Sequence, residues 1–322
     1  MLGYLVNRLI MTVITLFVIL TVTFTMFRLM PGDPSIFFIS PQMSIETITR
    51  IKAQFGLDQP IHKQFTNYLG SILHGNFGHS FFYKRPVLEV IGERLLNTIV
   101  LFLPAAIISY LVGVSLGRYM AWKRGGKSEK VLIFTGLSFW TFFVPWLGLL
   151  MIWVFSYKFG LFPVGGMITP DKWLPGSSVL VKTLDLLHHL VSPLVCYVLT
   201  WFAGNMLIMR NSMLETIGED YILTVRAKGL SERKIRNKHA ARNAILPVVT
   251  AFSMSIAYSI GGCVLLETVF SWPGIGRTMV DSVLLRDYPL AQASFILIAM
   301  VVLVTNLITD ILYAYLDPRI RY

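Results

Sequence analysis

The chain has 322 residues, of which 55% are hydrophobic and only 14% charged, with a formal net charge of +11. Soluble domains carry about 25% charged residues, so this composition excludes a water-soluble globular protein and marks an integral membrane protein. The positive excess does not point to nucleic acid, because the basic residues cluster beside apolar runs and leave no separate soluble domain to present a binding face.

A helix crosses the hydrocarbon core in about 20 apolar residues. Six runs meet that length, at about 9–30, 98–119, 131–156, 187–209, 246–268 and 291–315. They are continuous rather than alternating, which excludes a transmembrane β-barrel. The first run follows Arg8, exceeds the roughly 7–15 residues of a signal-peptide core and has no small-x-small cleavage site behind it, so it reads as a retained span.

The loop at 31–97 opens with Pro31-Gly32-Asp33-Pro34, which stops the helix, and contains two further turn clusters, Phe55-Gly56-Leu57-Asp58-Gln59-Pro60 and Gly75-Asn76-Phe77-Gly78-His79-Ser80. A loop this long is seldom idle. Span two carries Gly113-x-x-x-Gly117, a spacing that lets two helix backbones approach closely. A short basic turn with Arg118, Lys123, Arg124, Lys127 and Lys130 follows. Span three contains Gly136, Pro145 and Gly148, and Pro145 predicts a kink that either lines a pathway or shapes packing. Beyond Pro163-Val164-Gly165-Gly166 and Trp173, the pair His188-His189 marks the start of span four. Adjacent helical positions point about 100° apart, which disfavours a shared metal. Span four holds Asn205, a candidate for an interhelical hydrogen bond or for a solute path, and ends at Arg210.

Between spans four and five lies a basic, non-spanning insert, DYILTVRAKGLSERKIRNKHAARNAILP, from Asp220 to Pro247; eight Lys/Arg stand against four acids from Arg210 to Arg242. Positive charge this dense stays on the cytoplasmic side. Together with the basic turn, Arg8, Arg319 and Arg321, it places both termini and the insert in the cytoplasm, and the loops at 31–97, 157–186 and 269–290 outside. Tyr221, Val225 and Gly229 fall at i, i+4 and i+8, and Ser231 stands where it can cap a second helix with Glu232 in its first turn. On chemistry alone the insert is either a solvated turn at the headgroups or a helical knob pointing at the cytosol.

Span five runs to Glu267-Thr268. The segment Val269-Phe270-Ser271-Trp272-Pro273-Gly274-Ile275-Gly276-Arg277 then predicts an interfacial Trp, a turn and a short amphipathic helix with Met279, Val280, Val283 and Leu284 on one side; Arg286-Asp287-Tyr288-Pro289 makes a second turn. Span six carries Asn306 and Asp310 near its inner end, where an acid is either solvated and structural or functional. Cys196 and Cys263 lie within apolar runs and read as packed small hydrophobes.

These strings resemble the permeases of ABC importers, and their dipeptide/oligopeptide branch in particular. The insert, with R-A-K-G-L-S-E-R-K and R-N-A-I-L-P-V-V, resembles that family's EAA loop, although Leu223, Thr224 and Val225 stand where the general loop has Glu-Ala-Ala. The opening L-x-x-R-L with P-G-D-P, the string E-T-V-F-S-W-P-G-I-G-R with R-D-Y-P, and the closing D-P-R-I-R-Y extend the resemblance over nearly the whole chain. It implies an all-α integral membrane protein of six transmembrane helices with the type I ABC importer permease fold. A first transmembrane helix and long extracytoplasmic loop would occupy 1–97, and a five-helix core with a cytoplasmic coupling loop at about 211–245 would occupy 98–322. It also implies that Asp220, Tyr221, Thr224, Arg226, Ala227, Lys228, Gly229, Leu230 and Ser231 meet an ATPase. Glu267, Trp272, Pro273, Gly274, Arg277 and Asp287 would shape the outer mouth, with Asn205 on the pathway.

The implied partners are a second homologous permease, two ABC ATPases that bind ATP and Mg, and an extracytoplasmic substrate-binding protein docked in part by the long outer loop, all at the cell's inner membrane. The implied cargo is a di- or oligopeptide, with nickel chelates, glutathione or oligosaccharides as alternatives. The chain itself is expected to bind no cofactor or metal, and His74 and His79 read as solvated turn residues. Gly126-Lys127-Ser128 imitates the end of a nucleotide loop, but Ala121 replaces its first Gly and the context is a turn between membrane helices. No H-E-x-x-H, G-x-S-x-G or CxxC pair occurs. Energy for uphill transport therefore comes from a partner or from an ion gradient; an autonomous carrier calls for internal repeats and midplane charges, and the sequence shows no clear repeat and places its ionisable residues at span ends.

Overall fold

The structure, a computed structural model, describes residues 2–29 and 59–316. The Pro31-Gly32-Asp33-Pro34 stop, most of the cluster at 55–60 and the closing residues 317–322 lie outside the described residues, as do the side chains of Cys263 and Asp310. Among the described residues there is no β-strand, and one isolated bridge joins His79 to Pro86.

The helices are α1 (Leu2–Leu29), α2 (Ile61–Leu73), α3 (Val87–Trp122), α4 (Lys127–Thr141), α5 (Val144–Met151, continuing as a π-helix over Ile152–Lys158) and α6 (Val179–Ile217). Then come α7 (Asp220–Ala227), the single turn α8 (Glu232–Lys234), a π-turn over Ile235–Ala240, α9 (Ala241–Ala244), α10 (Leu246–Val269), α11 (Ile275–Leu284) and α12 (Tyr288–Leu316). Four of them, α1, α3, α6 and α12, contain stretches long and apolar enough to cross a membrane; the pair α4 and α5 makes a fifth span if counted as one. The kink predicted from Pro145 in the run at 131–156 takes the form of a full break between two helices. The pair bends by 100° at Phe142 and Phe143, whose extended backbones interrupt the helix ahead of Pro145 in the first turn of α5. A proline this early needs no donor, so it restarts a helix instead of kinking one.

Two compact units divide the chain, one made of 1–97 with 274–303 and the other of 98–273 with 304–322. In the first, Phe24 of α1 meets Phe65 at 5.1 Å and Tyr68 at 5.3 Å on α2, and Phe27 meets Tyr288 and Phe295 of α12, both at 6.0 Å. Thr12, Thr15, Thr21, Thr23 and Thr25 each donate a hydroxyl hydrogen to the carbonyl four residues back, so the lipid-length helix α1 offers these polar groups no need of outside partners. A core of Val87, Val90, Ile91, Ile275, Leu290 and Ala293 holds this unit together. The predicted apolar side of α11 is not its buried one. Ile275, Thr278 and Ser282 are buried and Leu284 is exposed, because both hydroxyls are satisfied within the helix, by Gly274 O and Met279 O.

In the second unit α6 is the centre, packed against α4, α5 and α10. Its 39 residues extend about 58 Å at ~1.5 Å each, nearly twice a ~30 Å hydrocarbon core, so both ends project. The Gly113-x-x-x-Gly117 step seats α3 on it: a Cβ at Gly113 would lie 2.7 Å from Phe202 O and from Asn205 Cβ, and one at Gly117 2.5 Å from Met206 O. Gly136 of α4 approaches Met206 as closely, and Gly148 of α5 would press on Val269 and Phe270. The span-three glycines thus serve packing.

Replacing Gly117 by Leu should force α3 away from α6. Overpacking of this kind costs about 1–3 kcal/mol or more where only backbone can yield, and the variant should show a clear loss of thermal stability in detergent, while Gly125→Ala, at a turn with open space, should lose only the modest amount that its positive φ demands.

Candidate functional site

The basic insert is built from short pieces pinned from beneath. Ile222 of α7 and Ile235 are fully buried against Met209 and Met213 near the C-terminal end of α6, with Ala240, Ala241 and Ala244 completing the cluster. Tyr221 donates its hydroxyl to His239 O at 3.3 Å and accepts from Asn243 Nδ2 at 3.0 Å. Lys228 caps α7 and Gly229 follows at φ +72°, its N–H donated to Arg226 O, a left-handed cap that L side chains adopt only with strain. Arg226 and Glu232 pair across this corner at 3.5 Å. Ser231 occupies the N-cap position, but its hydroxyl makes no cap bond; its carbonyl instead accepts from Lys234 and Ile235. Asp220, Leu223, Thr224, Arg226, Ala227, Lys228, Gly229 and Ser231 are exposed, while Tyr221, Val225 and Leu230 are half-buried on the cluster below.

A second anchor lies beside it. Glu129, buried in the first turn of α4, accepts from Gly125 N at 2.6 Å and from Arg210 Nε at 2.6 Å, with Arg210 Nη2 at 2.5 Å. The basic turn is thereby fastened to α6 just above Met213. Breaking a buried pair of this kind leaves an uncompensated charge.

At the opposite end of α6, Asp185 is buried and its Oδ2 accepts from Thr169 N (2.7 Å) and Trp173 Nε1 (3.0 Å), while Lys172 Nζ lies 3.1 Å from Oδ1. His189 donates Nδ1–H to Gly166 O at 3.1 Å, and its Nε2 lies 3.0 Å from Thr169 Oγ1. His188 Nε2 reaches Leu161 O at 2.8 Å. The two rings therefore tie down two points of one loop. That loop continues to the segment after α10, where Gly166 N donates to Phe270 O at 2.9 Å and a Cβ on Gly165 would sit 2.8 Å from the same oxygen.

The residues predicted for an outer mouth divide between the two units. In one, Glu267 is fully buried and accepts from Thr98 Oγ1 at 2.6 Å, and its carbonyl accepts from the N–H of the fully buried Trp272. Pro273, half-buried, ends that unit's segment. In the other, Gly274 precedes α11, Arg277 pairs with Asp281 at 3.4 Å, and Asp287 is a buried junction. Asp287 Oδ2 accepts from Ser80 Oγ at 2.5 Å and from Phe82 N at 3.0 Å, and Oδ1 from Leu290 N at 3.3 Å, which caps α12 and ties the turn at 75–86 to it. Asn205 stands apart from these, on α6 facing α3. Sequence reasoning passed over Asp185, Glu129 and Thr98. The signal for Asp185 was an acid four residues before His189 at the outer end of an apolar run, and for Glu129 an acid alone among the basic residues of a short turn.

The family model for "Binding-protein-dependent transport system inner membrane component" matches residues 113–322, and the model for the N-terminal part of such membrane components matches residues 1–102. Among similar proteins are the oligopeptide transport system permease protein AppB of Bacillus subtilis (strain 168) and the glutathione transport system permease protein GsiC of Salmonella typhi, each 37% identical over 325 residues and covering 100% of both chains. The protein of the latter name from Escherichia coli (strain K12) is 34% identical over the same length.

Asp287→Ala removes an acceptor shared by three donors, a loss of about 1–3 kcal/mol for buried groups left unpaired. Hydrogen exchange should show the amides of Phe82 and Leu290 losing protection in that variant, with the amides of α6 unchanged.

Proposed function

The chain belongs to the family of inner membrane components of binding-protein-dependent transport systems, and from that premise we propose that it is one permease subunit of an ATP-driven importer that passes peptides handed over by an extracytoplasmic binding protein. As a multi-pass inner membrane protein it transports and does not catalyse. The power comes from two ATPase subunits, which bind the ATP and Mg, and a second, related permease completes the pathway. Six spans, with α10 among them, put both termini and the α7 knob in the cytoplasm. In this reading 1–97 is the first span with its outer loop and 98–322 the permease core.

The observation that carries the proposal is the construction of the knob. One side of α7 is locked to the inner end of α6 through Ile222, and the other leaves Asp220, Thr224, Arg226 and Lys228 exposed to a partner. Asp220, Tyr221, Thr224, Arg226, Ala227, Lys228, Gly229, Leu230 and Ser231 form the grip. When nucleotide closes the ATPases, a displacement of the grip passes to α6 as a body, since a packed helix moves whole rather than bending at each contact. At the outer end the Asp185 and His189 ties, and Gly166 on Phe270, carry the motion to the segment that holds Glu267, Trp272 and Pro273, three of the residues assigned to the mouth.

Glutathione is the second cargo reading, because GsiC proteins match this chain as well as AppB does. Peptide and glutathione uptake by vesicles that hold the complete transporter decides between them.

Gly229→Val places a β-branched residue at φ +72° with open space around it, so its effect is backbone strain of about 1–2 kcal/mol at the grip itself. The expected outcome is ATP hydrolysis with uptake per ATP reduced about tenfold; coupled uptake at the unmodified ratio contradicts the assigned grip.

A further inference from the structure

Midway along α6, a cavity of about 130 Å³ opens between α3, α4, α6 and α10. Its walls are aromatic, with Trp140, Tyr197, Trp201 and Phe252, and its polar groups are the neutral side chains of Asn205 and Ser109. None of the described residues lining it is charged. An apolar cavity near this size, ~150 Å³, takes up a benzene ring, so the space suits one side chain rather than a single water.

Two features of the wall have no use among the described residues. Gly204 sits in the interior of α6, where glycine weakens a helix. Gly113, Gly117 and Gly136 repay that weakness by close packing, whereas a Cβ on Gly204 would meet nothing within 4 Å. Ser109 is buried, yet among the described residues its hydroxyl has no hydrogen-bond partner, a state it shares in this unit with Ser192 of α6. Helical hydroxyls in this unit ordinarily donate to the carbonyl four residues back, as Thr200 does to Cys196 O at 3.0 Å and Thr216 to Ser212 O at 2.8 Å. A bare backbone position and an unspent hydroxyl beside stacked aromatic walls, Trp201 lying 15° from the plane of Tyr197, make a neutral recess with room left in it.

We propose that this recess is a cargo subsite on the translocation path, which receives an uncharged aromatic or branched aliphatic side chain of the passing peptide while Asn205 and Ser109 meet the adjoining peptide group. The inference rests on the permease reading. The absence of charge sets the selectivity: a Lys or Asp side chain would leave water without a compensating partner, whereas an aromatic ring gains contact with Trp201 and Phe252.

The test uses the complete transporter in vesicles with saturating binding protein and two probe tripeptides, Ala-Phe-Ala and Ala-Lys-Ala, read as the ratio of their uptake rates so that losses of assembly cancel. The unmodified transporter should favour the Phe peptide. Gly204→Leu, which fills the recess, should lower the Phe-to-Lys ratio about tenfold, the scale on which an apolar pocket discriminates. Asn205→Asp should shift the ratio towards Lys. An unchanged ratio in both variants overturns the subsite, and so does a proportional loss of both peptides in Gly204→Leu, which would assign the space to the second permease. If the unmodified transporter moves neither peptide, the peptide reading fails and the subsite with it.

Discussion

The close approach of α3 to α6 is the contact on which the rest of the second unit depends. Lipid offers helices no hydrophobic reason to associate, so association rests on how near two backbones can come and how well their surfaces fit. Gly113 and Gly117 remove the side chains that would stand between them, and the carbonyls of Phe202 and Met206 lie where Cβ atoms would be. Gly136 repeats the device from α4 against the same turn of α6. Three helices thus meet at Ala203 and Met206, both fully buried, and everything attached to α6 takes its position from that point.

What is attached lies at its two ends. Each end of α6 is tied by an ion pair to a neighbouring segment: its Arg210 to Glu129 of α4 near the C-terminal end, and its Asp185 to Lys172, with Thr169 and Trp173, near the N-terminal end. An ion buried beside a membrane needs both a counter-charge and hydrogen bonds to remain ionised, and each of these acids has both. The loops they hold would otherwise have little core of their own. α6 is helical throughout from Val179 to Ile217, with Pro193 in its interior leaving one carbonyl without its usual amide donor.

The first unit uses a different economy. α1 and α2 meet through aromatic edges, and the turn at 75–86 is held by one carboxylate, Asp287, that satisfies a hydroxyl and two amides. Arg286 at φ +55° marks the corner at which the chain leaves α11. Such a position is unfavourable for a side-chain-bearing residue, and it stands next to the buried Asp287.

The sequence by itself determined the membrane class, the helical secondary structure, the family and the basic insert, because runs of apolar residues, clustered Lys and Arg, and local motifs such as Gly229 before Ser231 act over a few neighbouring positions. It also showed that Gly113 and Gly117 permit a close approach, though not to which helix. Only the tertiary structure decided the partners: that Asp287 binds Ser80 across 207 positions, that Glu267 takes Thr98, that Asp185 rather than the histidines alone anchors the loop before α6, and that the bend at α4 and α5 amounts to 100°. Pairings of this kind depend on which distant side chain reaches a buried group, and no periodicity records that. Which face of α11 turns inward is likewise a tertiary outcome: Thr278 and Ser282 are buried because their hydroxyls close hydrogen bonds on Gly274 O and Met279 O.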